Sequence, residues 1–137
     1  MKIVNVFFSQ PMSGLTIDEI KTYRQRMINE TFTFLTEELG YSKELIINDV
    51  NRFFDEKKPE DAPDSRLWYL GRSIQAMAEA DYIAFARDWA SASGCLVEET
   101  AARNYFLYRI YGRDYKGCIS EHIDYIFCGN NSKCVNV

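Results

Sequence analysis

Two short segments of the chain bring together residue types that could do chemistry. In Ser91-Ala92-Ser93-Gly94-Cys95-Leu96-Val97-Glu98-Glu99 a hydroxyl residue caps a helix, a glycine permits close approach, and Glu98 follows about one turn in. Helical spacing puts Gly94, Glu98, Ala101, Ala102 and Tyr105 on one face, so Glu98 is flanked by small residues suited to packing on a sheet. Burial there raises a carboxylate's pKa and the positive helix end lowers it, a balance that residue order leaves open. Two readings therefore stand: Glu98 supports the helix start with its charge, or it is a reactive carboxylate aimed into a cleft. Glu99, on the neighbouring strip with Cys95 and Arg103, reads as an ordinary solvated glutamate.

The other segment is Ser9-Gln10-Pro11-Met12-Ser13-Gly14. It lacks the G-x-G-x-x-G and P-loop spacings, so dinucleotide and triphosphate cradles of those kinds are not supported. Ser9, Gln10, Ser13 and Gly14, with their backbone N–H groups, suit an anion or a sugar hydroxyl; a plain strand-to-helix turn would use the same residues. Trp89 and Trp68 are either core residues or flat surfaces on which a base could stack, and Tyr69 or Tyr105 could orient a carboxylate. Arg66 and Arg72 read as solvated. His122 is the single histidine and no C-x-x-C pair exists, so a metal site is not expected. Cys95, Cys118, Cys128 and Cys134 read as reduced thiols, although Cys128 and Cys134 flank Gly129-Asn130-Asn131 and would be able to bridge in an oxidising compartment.

The elements that must position these segments follow from hydrophobic period and punctuation. Ile3 to Phe8 is β-branched and aromatic and ends at a turn, a buried first strand. Thr16-Ile17-Asp18-Glu19 is a capping box, and the helix it opens carries Ile20, Met27, Phe34 and Leu35 to Leu39, with Gly40 as a left-handed cap. Leu45-Ile46-Ile47 is a second strand. Asn48 to Asp64 loses its period and gains charge around Pro59 and Pro63, a surface loop long enough to be a lid. Leu67, Leu70, Ile74, Met77 and Ala78 mark a second helix ending at Asp81, Tyr82 to Ala86 a third strand, and Ser93 to Tyr111 a third helix stopped by Gly112. Beyond it Cys118-Ile119 and Tyr125-Ile126-Phe127 look extended, and residues 129–137 read as a loose polar tail after a domain spanning 1–128.

Strand, helix, strand, helix, strand, helix with short connections forces a parallel sheet, because each right-handed crossover lays its helix on a sheet face. The expected fold is a single-domain α/β, flavodoxin- or Rossmann-like three-layer sandwich with a 4–5-stranded, mainly parallel sheet. In such sheets ligands bind beyond the carboxyl ends of the strands, where both segments fall.

Composition bounds the function. A chain of 137 residues is one domain, and its 47% apolar and 26% charged residues are the balance of a globular protein. Sixteen basic against twenty acidic residues leave a net charge of −4, the wrong sign for a footprint on duplex nucleic acid. The apolar run Ile3 to Phe8 is interrupted by Asn5 and is too short for a membrane span or a signal-peptide core, so no membrane partner and a cytoplasmic location are expected.

The Ser9-Gln10-Pro11-Met12-Ser13-Gly14 loop, the Ala80-Asp81-Tyr82-Ile83 strand start, and Trp89 followed by Ser93-Gly94-Cys95-x-x-Glu98 resemble the nucleoside 2-deoxyribosyltransferase-like superfamily, over residues 1 to 112. The resemblance implies that Glu98 is a nucleophile attacking the anomeric carbon of a nucleoside or nucleotide, and that Asp88 is an acid or a base-contacting carboxylate. It implies a substrate-binding set of Ser9, Gln10, Met12, Ser13, Gly14, Trp89, Ser93 and Gly94, no cofactor and a homo-oligomer. The alternative is a non-catalytic protein binding a nucleotide or an ADP-ribose-like ligand in the same place.

Overall fold

The computed structural model describes residues 2–112, 126–128 and 134–136. Along the chain lie β1 (Ile3–Ser9), α1 (Ile17–Glu37), β2 (Ile46–Asp49), α2 (Ser65–Met77), β3 (Tyr82–Phe85), α3 (Ser93–Asn104), β4 (Arg109–Tyr111), β5 (Ile126–Cys128) and β6 (Cys134–Asn136). They form one sheet in the order β2-β1-β3-β4-β5-β6. The first four strands run parallel and the last two join antiparallel at one edge. This is the α/β three-layer sandwich that the chain order predicts.

The alternation along β1 sorts the core into two layers. Val4, Val6 and Phe8 pack with Met27, Phe34 and Leu35 of α1, while Phe7 faces the opposite layer with Ala76 and Met77 of α2 and Ala102 of α3. Helices cover both faces, so β3 is buried at every position, as parallel strands are.

α1 starts where its capping box says it should. The Thr16 hydroxyl accepts from the Glu19 N–H at 3.1 Å, and the Glu19 carboxylate accepts from the Thr16 N–H at 3.0 Å. Replacing Thr16 with alanine removes half of this pair and is expected to cost about 1 kcal/mol, read as a lower midpoint in urea with an unchanged slope. At the other end Gly40 adopts a φ of +78°, a left-handed conformation that only glycine takes without strain.

The third helix is shorter than its period suggests, and this is the main correction to the sequence reading. α3 stops at Asn104, and residues 109–111, expected to be helical, form the fourth parallel strand. The Leu107 N–H bonds the Ala102 carbonyl at 3.0 Å and the Phe106 N–H bonds the Arg103 carbonyl at 3.3 Å, the two bonds of a Schellman turn. Its left-handed position, normally a glycine, is Phe106 with φ 57°. No glycine marks the stop, so local sequence runs the helix on to Gly112. Pairing of Ile83, Ala84 and Phe85 with Arg109, Ile110 and Tyr111 decides otherwise.

Smaller differences follow the same pattern. β2 begins one residue late because Leu45 turns into the core. α2 ends at Met77 rather than Asp81, and β6 forms inside the segment expected to be a loose tail. The register sets Cys128 opposite Cys134, the two cysteines singled out from their spacing. Cys118-Ile119, Tyr125 and the Gly129-Asn130-Asn131 turn lie outside the described residues. The charged loop lies along α2: the Glu56 carboxylate is 2.8 Å from Arg72, and the Tyr69 hydroxyl donates to the Glu56 carbonyl at 2.6 Å.

Candidate active site

The strand order creates one crevice. From β1 the chain moves through α1 to β2 on one side, and from β3 through α3 to β4 on the other. Between the carboxyl ends of β1 and β3, where Ser9 is register partner to Phe85, the connections diverge across opposite faces of the sheet. This is the switch point at which open α/β sheets bind ligands.

Glu98 lies at this point and faces inward. Its residue is 7% exposed, and its Oε1 accepts from the Ser9 hydroxyl at 2.7 Å. Burial pushes its pKa above the ordinary carboxylate value, while the Ser9 hydroxyl, the nearby Ser73 hydroxyl and the Arg24 guanidinium pull the other way without cancelling the rise. Ser73 is on α2, buried, with its hydroxyl 3.2 Å from the Tyr69 carbonyl. The residue that orients Glu98 is thus Ser9, taken in the sequence reading as a substrate contact. Neither tyrosine considered for this task reaches it: Tyr105 is 79% exposed, and Tyr69 holds Glu56.

Cys95, one turn before Glu98 on the same face, is buried, and its thiol is pushed up to about 12, first by desolvation and also by Glu98 and Asp88, against the opposing influence of Ser9. It stays a thiol at physiological pH and is a poor nucleophile. The thiol thus lies within electrostatic reach of both carboxylates, Glu98 and Asp88.

Asp88 follows β3 and is exposed. Its Oδ1 accepts from the Tyr23 hydroxyl of α1 at 2.7 Å, and its backbone carbonyl accepts from the Ser91 hydroxyl at 2.6 Å. The expected hydroxyl cap of α3 is therefore absent: Ser91 bonds backward, Ala92 occupies the cap, and no side chain covers the first N–H groups. Ser93 and Gly94 are exposed at that helix start.

Gln10 is buried and engaged with α1, its Nε2 donating to the Ile20 carbonyl at 3.1 Å and its Oε1 accepting from Arg24 Nε at 2.9 Å. Arg24 also lies 3.6 Å from Asp49 at the end of β2. Met12 is half-buried, and Ser13 and Gly14 are exposed in the turn before α1, Gly14 at φ +80°. Trp89 is half-buried and tilts against Phe85 and Tyr111, each with ring centroids 5.9 Å away. Trp68 stands edge-on to Tyr69 at 4.9 Å.

Glu99 corrects a second expectation. It is 7% exposed, as buried as Glu98. Its Oε1 accepts from the Tyr111 hydroxyl at 2.9 Å and from Arg103 Nε at 3.2 Å. The face turned to the sheet is Cys95, Glu98, Glu99 and Ala102, the i, i+3, i+4, i+7 stripe, one position round from the face drawn through Gly94 and Tyr105. Glu99 reads as solvated only while Tyr111 is taken as helical; once β4 forms, Tyr111 lies beneath it.

Two residues of the site carry no motif: Tyr23 and Asn51. Tyr23 has a usable signal, since it lies between Ile20 and Met27 on the buried stripe of α1 with its hydroxyl at the end of a long ring. Asn51 has none; its amide accepts from the Phe8 N–H at 2.8 Å and donates to the Phe8 carbonyl at 3.0 Å, holding the strand that ends in Ser9.

A cavity of about 30 Å³ opens between α1 and the ends of β3 and β4, beside Tyr23, Arg26 and Arg87, and one of about 80 Å³ lies between Phe53 and α2. Glu98 lines neither of these two, and its 7% exposure shows that its neighbours cover it. Among the described residues no group of three or more His, Cys, Asp or Glu side chains could hold a metal ion, and no helix is long and apolar enough to cross a membrane. No family model, curated protein or solved structure matches the chain.

Proposed function

We propose that the protein cleaves or transfers the N-glycosidic bond of a (deoxy)nucleoside or nucleoside 5′-monophosphate, as a member of the nucleoside 2-deoxyribosyltransferase-like superfamily. The observation that carries this reading is the buried Glu98 carboxylate held by Ser9 at the switch point, with Asp88 just past the end of the neighbouring strand β3. A carboxylate fixed in that way can capture an oxocarbenium-like sugar as an ester, and a second carboxyl can protonate the departing base. Water or another base then releases the sugar. The Glu98 residue is 7% exposed, so for the sugar to reach it the side chains that cover it must move, the kind of motion that gates many enzymes.

The test is a panel of deoxynucleosides and their 5′-monophosphates assayed for free base, with wild type and Glu98→Ala in parallel. Glu98-dependent release supports the reading, and release that survives Glu98→Ala removes it. A thermal shift with nucleotide and no release would instead favour the non-catalytic binder of a nucleotide or ADP-ribose-like ligand. The proposal also carries a homo-oligomer, checked by light scattering, and a cytoplasmic location, checked by fractionation.

The pH profile has a definite sign. A nucleophile must be ionised, and burial holds Glu98 above the ordinary carboxylate range, so the acid limb of kcat/KM falls at a higher pH than for a solvated glutamate. Ser9 favours the charged form. Ser9→Ala is therefore expected to move that limb to still higher pH, and an unmoved limb would detach Ser9 from the reacting carboxylate.

A further inference from the structure

Asp88 is exposed at the end of a strand, the situation in which a short acidic side chain samples several rotamers. Here it is held at two points. Ser91 fixes its backbone through the carbonyl, with hydroxyl and N–H contacts of 2.6 and 3.0 Å. The Tyr23 hydroxyl fixes the carboxyl through Oδ1 at 2.7 Å, reaching across from α1 to the loop after β3. Tyr23 is itself well anchored: it packs against the core layer of Val6, Phe8 and Met27, and the Arg26 guanidinium lies over its ring at 5.2 Å. A phenol donates a single proton, so Oδ1 is an acceptor and any proton that Asp88 carries for transfer resides on Oδ2.

We infer that Tyr23 is a positioning residue for proton delivery to the departing base, clamping Asp88 Oδ1 so that Oδ2 is the oxygen left to exchange the proton. The inference rests on the glycosidic reading above. In the step it serves, a Glu98 oxygen forms a bond to the anomeric carbon, the bond from that carbon to the base nitrogen breaks, and its electron pair leaves with the base. The proton on Asp88 Oδ2 passes to the base, leaving Asp88 a carboxylate. In the second half water attacks the anomeric carbon, Asp88 takes its proton, and Glu98 leaves as a carboxylate. Tyr23 keeps its own proton throughout, in keeping with a phenol pKa raised first by burial and then by Asp88.

The test exploits leaving groups. 2′-Deoxyadenosine loses a base that needs protonation, whereas 7-methyl-2′-deoxyguanosine loses one that departs without it. Tyr23→Phe is expected to lower kcat on 2′-deoxyadenosine about tenfold with little change in KM, a share of the ~10²–10⁴-fold that a general acid supplies. On 7-methyl-2′-deoxyguanosine the loss should stay under about twofold, since no proton delivery is at stake. Adding Tyr23→Phe to Asp88→Asn should cost nothing further, because the two act as a unit. Equal losses on both substrates, or none on either, would overturn the positioning role while Glu98-dependent release left the parent reading standing. Absence of any Glu98-dependent release would overturn both. A readout that needs no Tyr23 variant is the Cζ resonance of Tyr23, which should move in Asp88→Asn; a resonance that stays in place would also overturn the inference.

Discussion

Glu98→Gln is expected to abolish the proposed base release and at the same time to make the protein harder to unfold at neutral and alkaline pH. The catalytic half follows from chemistry, since an amide cannot form the sugar ester, and removal of a nucleophile costs on the order of 10⁴-fold or more in kcat. The stability half follows from linkage. Burial raises the folded-state pKa of Glu98 above its unfolded value, so between the two values the native chain binds the proton that the unfolded chain has released. Stability therefore falls as pH rises through this window, and above the folded pKa the buried charge destabilises in full. Glutamine carries no charge and its amide oxygen can still accept from Ser9, which now bonds Oε1 at 2.7 Å. A gain on the order of 1 kcal/mol, or about 3–5 °C in Tm, is expected at pH 8. It should vanish on acidification below the ordinary carboxylate range, where wild type is protonated too. Thermal unfolding at the two pH values decides it: a Gln variant no more stable than wild type at pH 8 would mean that the carboxylate is not held at a cost, and the site would lose its distinguishing feature.

Asn51→Ala is the larger loss of stability. β2 pairs with β1 only as far as the match of Val6 with Asp49, and the Val50 N–H then bonds the Val6 carbonyl at 3.1 Å. Past that point the next outward-facing backbone pair on this edge of β1 is Phe8. The Asn51 amide takes the place of the missing strand, accepting from the Phe8 N–H at 2.8 Å and donating to the Phe8 carbonyl at 3.0 Å. Alanine leaves a buried donor and a buried acceptor without partners, for about 2–4 kcal/mol. That is a large part of the ~5–15 kcal/mol that holds a domain together, and it should appear as a fall of roughly 10 °C in Tm. Ser9 follows Phe8, so base release should drop as well, with the acid limb moving as in Ser9→Ala. Asn51→Asp keeps an acceptor for the Phe8 N–H and should restore part of the loss; a variant as stable as wild type by urea unfolding would show that water replaces the amide.

The two corrections share one origin. Taking residues 93–111 as a single helix leaves Glu99 facing solvent, and the same misreading hides β4. The helix pattern runs through Tyr105 to Tyr111 because aromatic and apolar residues there fit either period, and the stop at Phe106 lacks the glycine that normally announces it. What overrides local pattern is the open edge of β3, whose backbone groups need partners in a buried sheet.

Residue order alone determined whatever depends on neighbours within a few positions. It set β1, the capping box at Thr16 and Glu19, and the alternation that demands a parallel sheet, and it left the direction of Glu98 open. Tertiary closure alone decided what touches what: Ser9 meets Glu98 across 89 positions, Tyr23 meets Asp88 across 65, and Asn51 meets Phe8 across 43. A side chain's hydrogen-bonding capacity is a local property, but its partner is chosen by the sheet order and crossover hand that bring strand ends together, and no short window of sequence contains both members of such a pair.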